Sequence, residues 1–385
     1  MKPLLLLNSF IFVISFLGIL LVFAINPFIT WVLYLFEIKK KSAYADSRPS
    51  VSLVVVVYNG EELIEKKIEN ALSLDYPAES LEVVVFSDGS TDGTVDRVKK
   101  YAGKRVKLFS SEENIGKYNG MNKASAKCRG DILVFSDADA ILVPEAINEL
   151  VKHFSDPLIG GVCGQREICK DTASLKDAQK GYIRFDSAIK RWESALGSLT
   201  SNDGKLHAIR RSLYTEVPPG VTDDLFLSLS VIKKGFDFIF EPGARALVNV
   251  PSRTPAHELE RRRRIVAPSL NGIFINRALF NPLKYGLFSA RLFVNKVLRR
   301  LLPLFLIGLF ISNIILLFRC PDLWVLFLLQ FIFYLLAVSY KYGFTKKPSS
   351  LVYYFCIGNY GNLLGLWDFV TGKKVAKWSP HKADG

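Results

Sequence analysis

A lipid bilayer offers no hydrogen-bond partner to free backbone N–H and C=O groups, so a chain can cross it only as helices or as a closed barrel. Three stretches of this sequence carry that constraint. Residues 3–36 contain no charged side chain. Residues 301–318 and 323–340 are two more uncharged runs of 18 residues each. A run of that length spans about 27 Å as a helix, close to the hydrocarbon thickness. Only the four residues RCPD separate the second and third runs, which are therefore read as a hairpin. The first run exceeds a signal-peptide core in length and lacks a small-residue cleavage site.

Flanking charge sets the expected orientation. Lys39, Lys40 and Lys41 follow the first run; Arg299 and Arg300 precede the hairpin, and Lys341, Lys346 and Lys347 follow it. Basic flanks stay on the cytoplasmic side. The amino terminus is therefore expected outside, with residues 46–260 and both hairpin ends inside. Residues 351–367 leave two readings open, because the run is short and contains Asn359, Asn362 and three glycines. As a span it would place Lys373, Lys374 and Lys377 outside, against the charge rule; as a re-entrant or interfacial segment it would keep them inside. Residues 270–300 are apolar with Arg277, Lys284, Arg291 and Lys296 at intervals. They are read as an amphipathic segment on the inner membrane surface, the alternative being a core helix with a solvated basic face.

The net charge of +14 is unevenly spread. Residues 51–260 carry 27 Lys and Arg against 31 Asp and Glu, whereas residues 261–300 carry ten basic residues and no acid. A nucleic-acid binder needs its basic surface on the folded domain, so that class is set aside. Basic charge beside apolar runs suits anionic lipid headgroups instead. The five cysteines have no zinc-ligand spacing and are read as reduced.

Between the membrane runs, strands and helices alternate. Val51–Tyr58 is a β-branched run, as a buried parallel strand requires. Further strands are expected at Leu81–Ser87, Val106–Ser110 and Asp131–Ser136, with helices at Glu61–Leu74, Asp92–Tyr101 and Lys117–Lys127. This pattern predicts an α/β domain with an open parallel sheet and helices on both faces, binding ligand beyond the carboxyl ends of its strands. Acidic residues gather at those ends: Glu61 and Glu62 after the first strand, Asp88 and Asp92 after the second, Asp137 and Asp139 after the fourth. A lone Asp there is commonly a cap or turn residue. Three clusters at strand ends require something more, because converging carboxylates need a cation or a hydrogen-bonding ligand between them. Asp137 and Asp139 share one face of an extended segment and make a hard-oxygen site suited to Mg²⁺ or Mn²⁺ with phosphate. The sequence has no P-loop and no Gly-rich dinucleotide fingerprint, so metal and basic side chains are expected to handle the phosphates.

Five blocks, VSLVVVVYNGEE, LEVVVFSDGSTDGT, NIGKYNGMNKA, GDILVFSDADA and TDDLFLSLSVIKKGFDFIFEP, occur in order over residues 51–242. Together they resemble family 2 glycosyltransferases of the GT-A fold, and the flanking hydrophobic runs resemble the membrane-bound synthase branch. The resemblance implies that Tyr58, Asn59 and Glu61 hold the nucleotide base and ribose and that Asp88 reads the uracil edge. It places Lys117 near the diphosphate and makes Asp137 and Asp139 the D-x-D metal motif, with Asp139 the expected direct ligand. Asp224 falls at the general-base position, and Asp223 stands where the family often has Glu. Both could instead serve as amino-terminal caps of the helix that follows. The branch's Q-x-x-R-W becomes Arg261, Arg262, Arg263, Arg264 and Ile265, so the arginine is kept while Gln and Trp are lost. Arg262 and Arg264 are candidates for the acceptor or diphosphate. Losing the Trp counts against long-chain processive synthesis. His207 is read as a packed or solvated residue, and Trp192 and Trp367 as core or interface.

The expected organisation is an amino-terminal membrane segment (1–45), a GT-A domain (46–260), a basic interfacial segment (261–300), a membrane hairpin (301–340), and a hydrophobic segment with a basic tail (341–385). The expected activity is inverting transfer from a nucleotide sugar, UDP-linked by expectation, to a glycan or lipid-linked acceptor at the inner membrane. Single addition to a polyprenyl phosphate or lipid is the alternative. A non-catalytic scaffold on the same fold would be expected to have lost some of Asp88, Asp137, Asp139 and Asp224, all of which are present.

Overall fold

The computed structural model describes residues 2–37, 48–103, 105–169, 176–249, 254–344 and 349–373. Lys39, Lys40, Lys41, Lys346, Lys347, Lys374 and Lys377, used above to orient the membrane runs, lie outside the described residues. The central sheet has eight strands: β1 (Val51–Val57), β2 (Leu81–Asp88), β3 (Val106–Ser111), β4 (Ile132–Phe135), β5 (Ile141–Leu142), β6 (Ile159–Ile168), β7 (His207–Arg210) and β8 (Asp237–Val248), in the order β3-β2-β1-β4-β7-β6-β8-β5.

The first four strands are parallel, as their sequence pattern predicts. Their alternate side chains enter two different cores. Leu53, Val55, Val57, Val83 and Val85 pack on one face, and Val54, Val84 and Phe86 on the other. Both faces are covered, so a near-continuous apolar run replaces the usual alternation. Burying each such side chain stabilises the fold by about 1.5–3 kcal/mol.

The second half of the sheet departs from the all-parallel expectation. β7 runs antiparallel to both β4 and β6, and β5 runs antiparallel to β8, while β6 and β8 are parallel. Once Phe135 and His207 pair across β4 and β7, the strand after β4 returns instead of crossing over. That reversal places the loop before β7 beside the carboxyl end of β4.

Among the described residues, three helical stretches are long and apolar enough to cross a membrane: Leu5–Phe36, Leu287–Leu317 and Pro321–Lys341. The last two form the expected hairpin, turning at Pro321–Leu323. Residues 287–298 run into the first hairpin helix without a break, so Lys296, Arg299 and Arg300 immediately precede its uncharged run. Arg291, expected on a surface-lying face, is instead 6% exposed and donates to the Glu193 carbonyl at 3.4 Å.

Residues 351–367 lie within the helix Ser349–Val370. It packs along the helix Pro255–Ile275, which begins just after β8. Glycines allow the close approach. A Cβ on Gly361 would lie 2.7 Å from the Leu259 carbonyl oxygen, and one on Gly365 would lie 2.7 Å from the Arg263 carbonyl. The Asp368 carboxylate then clasps Arg263 at 2.5 and 2.9 Å. Such small-residue seams are how helices near membranes approach closely. Gly361→Leu is expected to separate the pair and cost about 1–3 kcal/mol as overpacking, read as a lowered midpoint in thermal unfolding of the detergent-solubilised chain. An unchanged midpoint would show that the seam does not carry the packing.

Candidate functional site

One cavity of about 630 Å³ opens at the carboxyl ends of β1 and β4. Tyr58, Asn59, Lys117, Asp137, Asp139, Asp223 and Asp224 line it, so side chains far apart in sequence meet there. Lys117 heads the helix Lys117–Ser125 and reaches Asp137 at 3.0 Å and Asp223 at 2.9 Å. Lys205, on the loop before β7, reaches Asp137 at 3.0 Å and both oxygens of Asp139 at 2.7 and 2.8 Å. Burial alone would push Asp137 up, but the two ammonium groups hold it well below the ordinary carboxylate range. Desolvation would likewise depress Lys117, and Asp137 and Asp223 keep it raised and charged.

Asp224 has the opposite environment. Burial and neighbouring Asp223 push it up to about 6, against the pull of the Leu225 amide, which donates to it at 2.7 Å. A carboxyl tuned toward neutrality in the same cavity as Asp137, which its lysines hold ionised, is the arrangement by which a site separates base work from charge holding. The helix Asp223–Lys233 has Thr222 at its amino-terminal cap position, and the Thr222 side chain makes no capping bond. Asp223 and Asp224 begin that helix but face the cavity, so helix initiation and site chemistry coincide there.

The structure brings most of the sequence candidates together, with two departures. Asp88 is 1% exposed and lies away from the cavity. Its oxygens accept from the backbone amides of Ile115 and Gly116 at 2.8 and 2.9 Å. Its carboxylate therefore fixes the turn that launches Lys117. Glu61 also stays outside the cavity lining. It accepts from the Gly93 amide at 3.1 Å and pairs with Arg97 at 3.3 Å, pinning two strand-end loops together. Asn59 adopts a left-handed conformation (φ 48°) and accepts from the Thr91 amide at 2.8 Å. Arg262 and Arg264 both line the cavity. Arg262 is bound to Glu258 at 2.7 Å and to the Tyr354 hydroxyl at 2.9 Å.

Sequence reasoning missed Lys67 and Lys205. Lys67 is fully buried and donates to the Ser136 hydroxyl at 2.7 Å and to the Ala140 carbonyl at 2.5 Å, clamping the Asp137–Asp139 loop from below. Desolvation lowers it to about 7. Ser136 in turn donates to the Lys205 carbonyl at 3.0 Å. A single Lys in a helix gives no sequence signal, and Lys205 becomes visible only once β7 is seen to pair with β4. His207 is fully buried, stacked on Phe135 at 5.1 Å, and pushed down to about 4 by desolvation. It is a packed neutral residue, as expected.

No group of three or more His, Cys, Asp or Glu among the described residues could hold a metal by itself. The protein offers the two carboxylates of Asp137 and Asp139, and Lys205 spans both. Two carboxylates open to a polar cavity suit a hard cation that completes its shell with phosphate oxygens and water. The lysine bridging them shows how strongly the pair calls for positive charge. The residues therefore fit Mg²⁺ or Mn²⁺.

The comparisons agree with this geometry. Residues 52–217 match the model described as glycosyl transferase family 2. This segment is a family 2 glycosyltransferase domain. Poly-beta-1,6-N-acetyl-D-glucosamine synthase of Staphylococcus aureus (strain COL) is 27% identical over 220 residues, covering 55% of this chain and 53% of that protein. The Staphylococcus epidermidis synthase is 24% identical over 208 residues, covering 52% and 50%. The chain thus matches about half the length of these relatives. A solved mannosyltransferase from Pyrobaculum calidifontis, in complex with GDP-Man and Mn²⁺, superposes with a TM-score of 0.69 at 23% identity, covering 94% of this chain and all of that one. The fold is GT-A, and the described residues of this chain add helices long and apolar enough to span a membrane.

Removing Lys117 should expose the cost of the carboxylate cluster. Lys117→Met is expected to destabilise the fold by about 1.5–3 kcal/mol, since it leaves Asp223 without its ion pair while Asp137 keeps Lys205, with partial recovery when Asp223→Asn is added. Chemical unfolding at pH 7 checks this. Equal stability of wild type and variant would contradict the bridging role.

Proposed function

We propose that this chain is a membrane-bound inverting glycosyltransferase that takes a nucleotide sugar, UDP-linked by preference, to a glycan or lipid-linked acceptor. The observation that carries the reading is the meeting of Asp137, Asp139, Asp223, Asp224, Lys117 and Lys205 in one cavity. That cavity adjoins the mouth of a helix able to enter a membrane. Multi-pass attachment with the domain on the cytoplasmic side of the cell membrane belongs to the same proposal.

Asp224 serves as base in this reading. An acceptor hydroxyl gives its proton to the Asp224 carboxylate as its oxygen attacks the anomeric carbon. The bond from that carbon to the diphosphate breaks on the opposite face, and the nucleoside diphosphate leaves with the electron pair. Tyr58 and Asn59 lie at the nucleotide end of the cavity, and Lys117 offsets the growing charge. Asp137 and Asp139 would hold Mg²⁺ or Mn²⁺, which when bound adds positive charge at the diphosphate. Asp139, 42% exposed, is the more accessible of the pair, consistent with direct ligation.

Single addition, as against polymerisation, is favoured by one observation. Ile265 lines the cavity at the position where the synthase branch carries Trp, so no aromatic platform for a growing glycan stands there.

Incubating the membrane-embedded chain with UDP- and GDP-sugars and Mg²⁺ or Mn²⁺ tests the proposal. One donor class is expected to be consumed, with a single sugar added per acceptor. Consumption of no donor would overturn the reading. The pH profile of kcat/KM adds an independent check. Asp224 works ionised, and burial and Asp223 raise it, with Lys117 and Asp203 also in its field. Activity should therefore fall as pH drops through about 6. Asp224→Asn should lose transfer by at least about 100-fold while still binding donor. A flat profile down to pH 5 would remove Asp224 from the base role.

A further inference from the structure

A second polar cluster joins the α/β domain to two of the stretches able to cross a membrane. Glu193, in the last turn of the helix Lys176–Ala195, is fully buried. Its carboxylate accepts from the Thr200 amide at 2.8 Å, from the Thr200 hydroxyl at 2.9 Å and from the Asn295 side-chain amide at 2.7 Å. Burial pushes its carboxyl up, against the pull of the Arg291 guanidinium and of Thr200. Asn295, itself 6% exposed, accepts at its side-chain oxygen from the Asn26 side-chain amide at 2.9 Å. Asn26 belongs to the stretch Leu5–Phe36 and Asn295 to Leu287–Leu317. Two apolar stretches and the α/β domain are thus joined through one carboxylate.

An asparagine pair between apolar helices is by itself ordinary interhelical glue. A buried carboxylate costs more, because each of its oxygens must be answered. What this carboxylate holds is the root of a site loop. The Leu199 amide, one residue before Thr200, donates to the Phe238 carbonyl at 2.9 Å. Residues 201–205 then line the cavity. Between Thr200 and β7 the chain belongs to no helix or strand, so its placement rests on side-chain bonds. Along it, Asn202 donates to the Asp224 carbonyl at 3.0 Å, and Lys205 bridges Asp137 and Asp139.

We propose that Glu193 and Asn295 are positioning residues for the transfer reaction: they tie the loop that carries Asn202 and Lys205 to the two apolar helices, with Asn26 as the outer link. This rests on the transferase reading above and adds to it a dependence of the site on how the amino-terminal helix is seated. Glu193 lies outside the cavity lining, so it acts through Thr200 and not on a ligand. The path runs from Asn26 through Asn295, Glu193 and Thr200 to Asn202, which bonds the backbone of the base Asp224. Loosening it lets Asn202 and Lys205 drift, and a displacement of about 1 Å at reacting groups can cost about 100-fold in rate.

The test compares wild type, Asn295→Leu and Asn26→Leu as full-length protein in detergent. It reads amide hydrogen exchange over residues 198–206, UDP and GDP binding with Mn²⁺, and kcat and KM of donor consumption. Asn295→Leu is expected to speed exchange of the loop amides by about tenfold or more and to lower kcat by about tenfold. Nucleotide binding should stay within about twofold of wild type, which also reports that the variant folds. Asn26→Leu should lower kcat by about threefold, and the double variant should be no worse than Asn295→Leu alone, because both cut one path. A merely structural contact would reduce the amount of folded protein and leave kcat per nucleotide-binding site unchanged. That result would overturn the proposal, as would loop exchange at the wild-type rate. Should Asn295→Leu bind no nucleotide, Asn26→Leu decides by the same two readouts. If the wild type consumes no donor, it is the transferase reading that fails, while the tether is still judged by loop exchange.

Discussion

Carboxylates gathered at neighbouring strand ends repel one another, and the cavity exists because lysines stand between them. Lys117 joins Asp137 to Asp223, and Lys205 joins Asp137 to Asp139. Each link crosses between elements far apart in the chain: the end of β4, the helix after β3, the loop before β7 and the helix before β8. Electrostatics thus fixes the relative placement of four elements, and the same charges are available to a phosphate-bearing ligand. Lys67 supports the arrangement from beneath by holding the loop of the D-x-D pair through Ser136 and Ala140.

The contrast between Asp137 and Asp224 follows from what lies next to each. Both are in the cavity lining, but Asp137 faces two ammonium groups, whereas Asp224 lies beside Asp223. Asp137 is held toward the ionised form by its lysines, and Asp224 is poised where a proton can be taken up and released. Asp223 takes part in both environments, since it shares Lys117 with Asp137 and raises Asp224.

β1 to β4 were legible because a strand covered on both faces must be largely apolar, and Val51–Val57 and Leu81–Phe86, interrupted only by Ser52 and Glu82, satisfy that locally. The hairpin of two long apolar helices was legible for a similar reason, since length and uncharged composition are written in a local stretch. The antiparallel return of β7 was not, because it depends on pairing between Phe135 and His207, which no local pattern encodes. Lys205 was lost with it. Asp88 and Glu61 were found by position, but their backbone-amide contacts were not foreseen, because a carboxylate at a strand end can equally serve a ligand or a backbone amide. Ile115, Gly116 and Gly93 supply those amides. The small-residue seam at Gly361 and Gly365 looked like interruption of an apolar run and is in fact the contact surface of a helix pair.

The central claim is that the D-x-D carboxylates exchange their lysine partner for a divalent ion held jointly with a nucleoside diphosphate. Calorimetric titration of UDP and GDP into the full-length protein, with and without Mn²⁺, addresses it most directly. The account predicts binding that depends on Mn²⁺ and is abolished by Asp139→Asn. Equal affinity with and without the ion, unchanged by Asp139→Asn, would contradict it.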